Sequence, residues 1–150
     1  MATCKKATIA DLEPVTKLLA ILYEARSHEY LTAENRENLT DPEQAMFLAC
    51  RGDDAIGIAH CALRRDYVEG TDSGNRNGCV GYLEGIFVLP EHRLRGTARE
   101  LAAECEGWAK AMGCTDFASD CELDNAESCR FHLSVGFTEA NRNIHFVKKL

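Results

Sequence analysis

The sequence predicts a mixed α/β domain, and two observations support this class. Apolar residues recur at helical spacing in some segments and as short, strand-like runs in others, and the two kinds of segment alternate along the chain. The 150 residues contain no repeat, linker or low-complexity stretch, and this length suits one domain with one core, covering residues 1–150.

The first half of the chain predicts a helix, a polar segment and a hairpin. Thr8 and Asp11 fit a capping box, and apolar residues at steps of three and four follow it. Asp41-Pro42 marks a turn or a new helix start, and the Gly-Asp-Asp at 52–54 favours a hairpin turn. We therefore expect a helix over 9–25, a helix-compatible segment over 34–39, strands over 46–50 and 55–67, and a loop over 70–79.

The second half predicts a strand and a helix, followed by another strand and another helix. Pro90 cannot donate a ladder hydrogen bond, so it ends an apolar strand over 83–89. Asp124 is the expected N-cap of a helix over 125–135, and Gly136 fits the left-handed position after its end. The remaining predicted elements are an amphipathic helix from Ala98 to Met112 that stops at Gly113, a strand over 115–119, and closing strands over 137–140 and 144–148.

The stretch between the central strand and the helix after it predicts a phosphate site. Gly96 lies where that helix begins, and a glycine there lets a ligand approach the backbone. The first amides of a helix have no intrahelical partner and lie at the positive end of its dipole. Arg93 and Arg95 add two cations beside them. The alternative is an ordinary strand–turn–helix connection that binds nothing.

Charge and cysteine content argue against several classes of function. A net charge of −7 and a pI near 5.2 disfavour nucleic acid or an anionic membrane as a partner and suit a small cationic one, although solubility explains an acidic surface equally well. None of the 8 cysteines has Cys-x-x-Cys spacing, so we expect free thiols, mostly in the core, and no metal site. No segment resembles a signal peptide, and no apolar run approaches the ~18 residues that span a bilayer. We expect a cytoplasmic protein.

Two motifs resemble those of the GNAT superfamily of N-acetyltransferases. The run Arg93-Leu94-Arg95-Gly96-Thr97-Ala98 matches the Arg/Gln-x-x-Gly-x-Gly/Ala element whose amides hold the coenzyme A pyrophosphate, and a second element starts at Asn125 with Ser128, His132 and Gly136-Phe137 in step. The resemblance implies a central, mostly antiparallel sheet that is splayed at the acetyl-CoA site and flanked by helices. It also implies acetyl-CoA as donor, no metal, and donor binding by the backbone amides of Ile86, Phe87 and Val88 and by Arg93, Arg95, Gly96, Thr97, Ala98, Asn125 and Ser128.

Three further segments resemble the bacterial aminoglycoside 6′-N-acetyltransferases, namely Arg65 to Gly70, Leu83 to Pro90 and Phe117 to Asp120. This resemblance implies acetylation of the 6′-amine of an aminoglycoside antibiotic, and hence resistance, by a homodimer that could share its C-terminal strand. Two positions depart from that family: Leu22-Tyr23-Glu24 replaces Leu-Trp-Pro, and Asn141 replaces an acid. The residues implied for the acceptor site are Tyr23, His28, Tyr67, Glu84, Asp120 and Asn141.

Three side chains are the candidate catalytic residues, and each has an alternative interpretation. Glu84 lies in an apolar strand, where an unpaired carboxylate is costly to bury, so it accepts the ammonium proton or is a structural acid with a partner. Asp120 binds the acceptor and takes its proton, or is a turn residue. His132 stands where many of these enzymes have a tyrosine that protonates the leaving thiolate, or it is a helix histidine without that task. The rival functions are acetylation of another small amine or a peptide N-terminus, and non-catalytic binding of acetyl-CoA.

Overall fold

A five-stranded mixed sheet forms the centre of the computed structural model, which describes residues 1–71 and 78–150. The strands follow one another across the sheet in chain order, with antiparallel pairs up to β4 and a parallel pair at the end. Their bounds are Thr3–Lys6 (β1), Gln44–Arg51 (β2), Asp54–Arg64 (β3), Val80–Val88 (β4) and Phe117–Ser119 (β5). The predicted mixed α/β class with a mostly antiparallel sheet is confirmed.

Helices cover both faces of this sheet. They are α1 (Leu12–Leu22), α2 (His28–Thr40), α3 (Thr97–Ala111) and α4 (Ala126–Ser134). Because alternate side chains of a strand point to opposite faces, β2 contributes to two cores at once. Its Met46 and Leu48 pack with the α1 side chains, whereas its Phe47 packs with Leu101 of α3 on the other face.

The first half of the chain differs from its predicted elements mainly in their bounds. Strand β1 had no counterpart among the predicted strands. The helix expected over 9–25 begins as a 3-10 turn, Ile9–Asp11, and ends at Leu22. Helix α2 starts well before 34 because the Ser27 hydroxyl accepts a hydrogen bond from the Tyr30 amide at 3.1 Å and caps it. The predicted hairpin is confirmed, but β3 ends at Arg64 instead of 67.

The second half follows the predicted order as far as α4. A 3-10 turn, Pro90–His92, follows β4, and the predicted stops at Gly113 and Gly136 are confirmed, with φ of 88° and 103°. The predicted N-cap of α4 is wrong by one residue, since the Asn125 side chain accepts from the Ser128 amide at 3.0 Å. Within the predicted loop over 70–79, residues 72–77 lie outside the described residues.

The two predicted closing strands, over 137–140 and 144–148, are wrong for the chain on its own. Residues 137–150 have no strand structure, since none of the five strands pairs with them. Three of their apolar side chains are almost fully exposed, Ile144 at 80%, Phe146 at 91% and Val147 at 97%. Apolar alternation is present in this segment, but a strand forms only where a neighbour accepts its hydrogen bonds.

Candidate active site

A bulge in β4 sets Glu84 apart from its neighbours. His60 of β3 pairs with Gly85, and the next β3 residue, Cys61, pairs with Leu83, so Glu84 has no partner in the ladder. An extra residue of this kind bends the strand and redirects a side chain. Because Tyr82 and Glu84 are two residues apart, the Glu84 carboxylate lies on the same face of β4 as Tyr82, at the point where the bulge leaves Glu84 unpaired.

Arg64, at the end of β3, holds this carboxylate with both arms of its guanidinium group. Its Nε donates to Glu84 Oε1 at 2.9 Å and its Nη2 donates to Oε2 at 2.8 Å, with the two side chains 37% and 25% exposed. The Arg64 guanidinium also lies over the Tyr82 ring, 3.4 Å from its centroid. Glu84 is thus an acid with a cationic partner.

The Tyr82 hydroxyl donates a hydrogen bond to Asp120 Oδ2, on the residue that follows β5. Burial, and then this bond to a carboxylate, raise the pKa of Tyr82 well above its usual range, so the phenol stays a donor. Asp120 itself is exposed, and its other oxygen has no hydrogen-bond partner within residues 1–71 and 78–150. Asp120 therefore presents one oriented, open carboxylate oxygen.

Tyr23, just after α1, approaches the bulge from the other side. Its hydroxyl donates to the Glu84 carbonyl oxygen at 3.5 Å, and burial raises the pKa of the phenol. This approach needs Gly85, because a Cβ there would lie 2.6 Å from the Tyr23 hydroxyl oxygen. Tyr23 thus contacts Glu84, although through its backbone carbonyl.

His132 of α4 belongs to a second set of hydrogen bonds, which we call the histidine chain: the Leu83 carbonyl, Ser119, His132 and Ser128. Its Nδ1 lies 2.7 Å from the Ser128 carbonyl oxygen, which can only accept, so Nδ1 carries a proton. Its Nε2 lies 2.8 Å from Ser119 Oγ, which is also 3.0 Å from the Leu83 carbonyl oxygen. When Nε2 is protonated, it donates to Ser119, which donates onward to Leu83; when it is not, Ser119 donates to it.

The two strands that carry these residues separate immediately beyond them. The parallel pairing of β4 with β5 ends at Leu83 and Ser119, while β4 continues to Val88. The predicted donor contacts Ile86, Phe87 and Val88 lie in this separated part. Their side chains pack into the cores on the two faces, so the groups they offer a ligand here are backbone ones.

Gly96 precedes α3 as its N-cap, with φ of 88° and open space where a Cβ would stand. Thr97 is buried, and Ala98 follows it in the first turn. Arg93 braces this turn, since its Nε donates to the Val88 carbonyl at 2.9 Å and its Nη1 lies 3.7 Å from Glu127. The remaining predicted donor contacts are the exposed Arg95, the N-cap Asn125 of α4, and Ser128 in the first turn of α4, whose amide donates to the Asn125 side chain.

Three predicted acceptor residues make no contact with the acids in the described parts of the chain. Tyr67 is exposed and donates to Glu69 at 3.1 Å. His28 begins α2, and its Nδ1 lies 3.5 Å from the Thr32 hydroxyl. Asn141 accepts from the Arg142 amide, next to Ala140, which lies against Gly70. The structure therefore gathers Tyr23, Glu84 and Asp120 and leaves His28, Tyr67 and Asn141 at the surface.

Arg64 and Tyr82 are the functional candidates that the sequence interpretation missed. The only signal for Arg64 was chemical, since a carboxylate in an apolar strand needs a cation or donors. Which cation it would be depends on the register of β3 against β4 and on the bulge, and neither can be read from one sequence. No group of three or more His, Cys, Asp or Glu that could hold a metal ion occurs among the residues described, and no described helix has the length and apolarity to cross a bilayer.

Comparison with known proteins gives one consistent result. The model of the acetyltransferase (GNAT) family matches residues 12–137. An aminoglycoside N(6′)-acetyltransferase type 1 from Acinetobacter haemolyticus is 37% identical over 146 residues, which is 97% of each chain. Two solved structures of the aminoglycoside N-acetyltransferase AAC(6′)-Iy are 34% identical with a TM-score of 0.93, one in complex with CoA (100% of this chain, 96% of the other) and one with the bisubstrate analog CoA-S-monomethyl-acetylneamine (100% and 99%).

Proposed function

The chain belongs to the acetyltransferase (GNAT) family, and on that basis we propose that it transfers the acetyl group of acetyl-CoA to the 6′-amine of aminoglycoside antibiotics. The observation that carries this proposal is the pair of acids, Glu84 and Asp120, at the point where β4 and β5 separate. Relatives that cover nearly the whole chain are named as enzymes of this activity, and a structural neighbour holds a CoA–neamine analog. Transfer is direct, without a covalent enzyme intermediate.

The acids suit a polycationic acceptor. Asp120 has an open oxygen, and Glu84 retains lone pairs beyond the two that Arg64 occupies. Each can therefore accept hydrogen bonds from ammonium groups, and charge-assisted bonds of this kind are stronger than neutral ones. A chain with a net charge of −7 also attracts such a molecule at low ionic strength.

The first turn of α3 fits the pyrophosphate of coenzyme A. Gly96 leaves its backbone open, and the amides of Thr97 and Ala98 come before the first helical hydrogen bond, which joins the Glu100 amide to the Gly96 carbonyl. Bound acetyl-CoA supplies the thioester that is attacked by the amine and the thiolate that leaves. Backbone groups of Ile86 to Val88 line the separated part of β4 and orient the acyl arm, and an amide there stabilises a developing oxyanion.

The chain handles one proton on each side of the reaction. An alkyl ammonium must lose a proton before it can attack, and we assign its removal to the open oxygen of Asp120, with Glu84 orienting the cation. His132 can hold a proton at Nε2, because Ser119 accepts it and passes its own hydrogen bond to Leu83. That proton neutralises the leaving thiolate. The nitrogen loses a second proton to solvent as the amide forms, and His132 takes up a proton from solvent before the next turnover.

The exposed C-terminal segment supports a homodimer. Ile144 and Phe146 flank His145 in the alternation typical of a strand, and these two side chains and that of Val147 lie in solvent in the single chain. We assign this face to a second copy of the chain, with the segment pairing as a strand across the interface. The location of the dimer is the cytoplasm, where the eight cysteines, all of them free thiols here, would stay reduced.

The dimer is tested by light scattering after size exclusion. Phe146→Glu places a charge in the apolar face, and we expect it to convert a dimer into a monomer, whereas Lys149→Gln leaves the dimer intact. A monomeric wild type would refute the assembly.

The activity is tested by release of free coenzyme A thiol from acetyl-CoA with a panel of amines. The panel contains neamine, a matched aminoglycoside with a 6′-hydroxyl group, polyamines and peptide N-termini. We expect turnover with the 6′-amine compound and none with its hydroxyl counterpart. Turnover with polyamines or peptides alone would keep the acetyltransferase and overturn the substrate, and binding of acetyl-CoA without turnover of any amine would overturn the enzyme.

A further inference from the structure

Arg64, Glu84, Tyr82 and Asp120 form one continuous set of contacts, which we call the acid network. The Arg64 guanidinium donates two hydrogen bonds to the Glu84 carboxylate and stacks on the Tyr82 ring. The Tyr82 hydroxyl donates a hydrogen bond to Asp120. The two acids are therefore joined through a cation and a phenol. Neither of these two linking residues belongs to the sequence motifs above.

The register of three strands produces this network. Arg64 pairs with Val80 while Ala62 pairs with Tyr82, so Arg64 and Tyr82 are diagonal neighbours on one face. On the other side, Tyr82 pairs with Ala118 of β5. Small side chains flank the ring on both sides, which leaves room for a guanidinium above it. Glu84, two residues after Tyr82, lies on the same face, and the bulge leaves it without a partner in β3.

The two linking groups keep their protonation state at any working pH. Hydrogen bonding to Glu84 raises the pKa of Arg64 above a value that is already high, so its charge is permanent. The raised pKa of Tyr82 keeps its hydroxyl a donor. Two carboxylates and one guanidinium leave the network with one net negative charge, which is the charge that one acceptor ammonium would neutralise.

Geometry, more than charge, distinguishes this arrangement from a surface ion pair. A guanidinium that is bidentate on one carboxylate and stacked on a ring has little freedom to turn, so Glu84 is fixed before any acceptor arrives. Tyr82 fixes Asp120 through one oxygen and leaves the other open. Fixed reacting groups matter because a displacement of about 1 Å can reduce a rate by about 100-fold.

We propose that Arg64 is a positioning residue for the acetyl transfer, acting as a resident cation that fixes Glu84 and, through Tyr82, aligns Asp120. This inference rests on the proposed function, because it gives the two acids their task. Arg64 itself does not contact the reacting atoms. Its effect is on the orientation of the acids and on how much positive charge the site attracts.

The test compares Arg64→Gln, Arg64→Lys and Tyr82→Phe with the wild type in thiol release with neamine. Arg64→Gln should lower kcat about 10- to 100-fold without raising KM, since the freed carboxylate still binds cations. Arg64→Lys keeps the charge without the fork and should recover only part of kcat. Tyr82→Phe keeps the stacked ring and should lower kcat about 3- to 10-fold. Arg65→Gln is the control at the next residue: it breaks a surface ion pair with Glu43, and its kcat should stay within about twofold of the wild type.

A second readout separates positioning from mere folding and does not depend on turnover. Calorimetric affinity for neamine should fall more steeply with salt in Arg64→Gln than in the wild type, because the network then carries two negative charges. Equal salt dependence, or a kcat in Arg64→Gln equal to that of the wild type, would overturn the proposal. So would full activity in Arg64→Lys, or a loss of kcat matched by loss of acetyl-CoA binding. A wild type that binds neamine but does not acetylate it would refute the proposed function alone.

Discussion

The acid network and the histidine chain start from adjacent residues and are built in opposite ways. Glu84 and Asp120 belong to the network, whereas their immediate predecessors, Leu83 and Ser119, belong to the chain. The network contains two carboxylates, one held by an arginine and the other by a tyrosine. The chain contains a histidine, two serines and a backbone carbonyl, and it is uncharged when the imidazole is neutral.

In the mechanism that we propose, this contrast lets one pair of strands serve both proton transfers. Successive side chains of a strand point to opposite faces, so neighbouring residues reach different surroundings. Where the β4–β5 pairing ends, Glu84 and Asp120 belong to the acid network, while the Leu83 carbonyl and the Ser119 hydroxyl lead through His132 to α4. The proposed proton acceptor, Asp120, is thus one residue away from Ser119, which contacts the proposed proton donor, His132.

The largest expected effect comes from removing the open carboxylate. Asp120→Asn keeps the hydrogen bond to Tyr82 and removes the proton acceptor, so kcat should fall about 100- to 1,000-fold. Glu84→Gln should cost about 10-fold or more, because the fork of Arg64 loses its charged partner. Steady-state thiol release with neamine measures both, and calorimetry should find acetyl-CoA binding unchanged.

Asp124→Asn provides the control for these two substitutions, since it changes an exposed acid four residues after Asp120. Its turnover should match that of the wild type. If neither Asp120→Asn nor Glu84→Gln slowed turnover, the assignment of the acids would be wrong, and the network would be structural.

A smaller effect is expected on the other side of the comparison. His132→Phe preserves the ring packing against Phe131 and Phe137 but removes both nitrogens, so kcat should fall about 10-fold while KM for the acceptor is unchanged. Ser119→Ala should reproduce most of this loss if the serine relays the proton. A normal rate in His132→Phe would remove the histidine chain from the mechanism and leave solvent as the proton source.

The local geometry of the candidate donor site could be predicted from the sequence more completely than the arrangement of the two acids. Gly96 and the first turn of α3 are local features, and the turn, the helix start and the cations lie within a few residues of one another. The acid network depends on contacts between residues 20 and 38 positions apart, and on a bulge that shifts the register by one. Single-sequence patterns carry no information about such a shift.

The end of the chain gives the same lesson in another form. Alternating apolar residues near Ile144 and Phe146 predicted a strand, and the pattern is present, but the single chain offers this segment no neighbour. The N-terminal strand shows the opposite case: Thr3–Lys6 has two adjacent lysines and no apolar alternation, yet it pairs with β2 along its whole length. Tertiary pairing overrides local pattern at both termini.

Gly85→Ala should disturb the acid side of the site by a moderate amount. The added methyl group would lie 2.6 Å from the Tyr23 hydroxyl oxygen and 3.2 Å from a Leu22 methyl carbon, so the tyrosine must move. Overpacking of this kind costs about 1–3 kcal/mol, and we expect the free energy of unfolding in urea to fall by that amount. Gly107→Ala, in an open position of α3, should instead raise stability by up to about 1 kcal/mol. An unchanged stability in Gly85→Ala would mean that Tyr23 is free to leave the bulge.

The smallest expected effect concerns His60, which shares a face of β3 with Arg64 but carries no charge. The side-chain nitrogen of Gln44 donates to the Asp41 carboxylate at 3.0 Å. This fixes the orientation of the Gln44 side chain, so its oxygen faces His60 and accepts a hydrogen bond from Nε2 at 2.7 Å. Burial lowers the pKa of His60, and Glu84 opposes this only in part. Above about pH 6.5 the imidazole is neutral in both the folded and the unfolded chain; below it, the unfolded chain takes up a proton that the folded chain resists, so stability falls. Urea unfolding of His60→Gln should therefore lose less stability between pH 7 and pH 5 than the wild type does. Equal losses would mean that the imidazole is charged in the fold, and the acid network would then border a second resident cation.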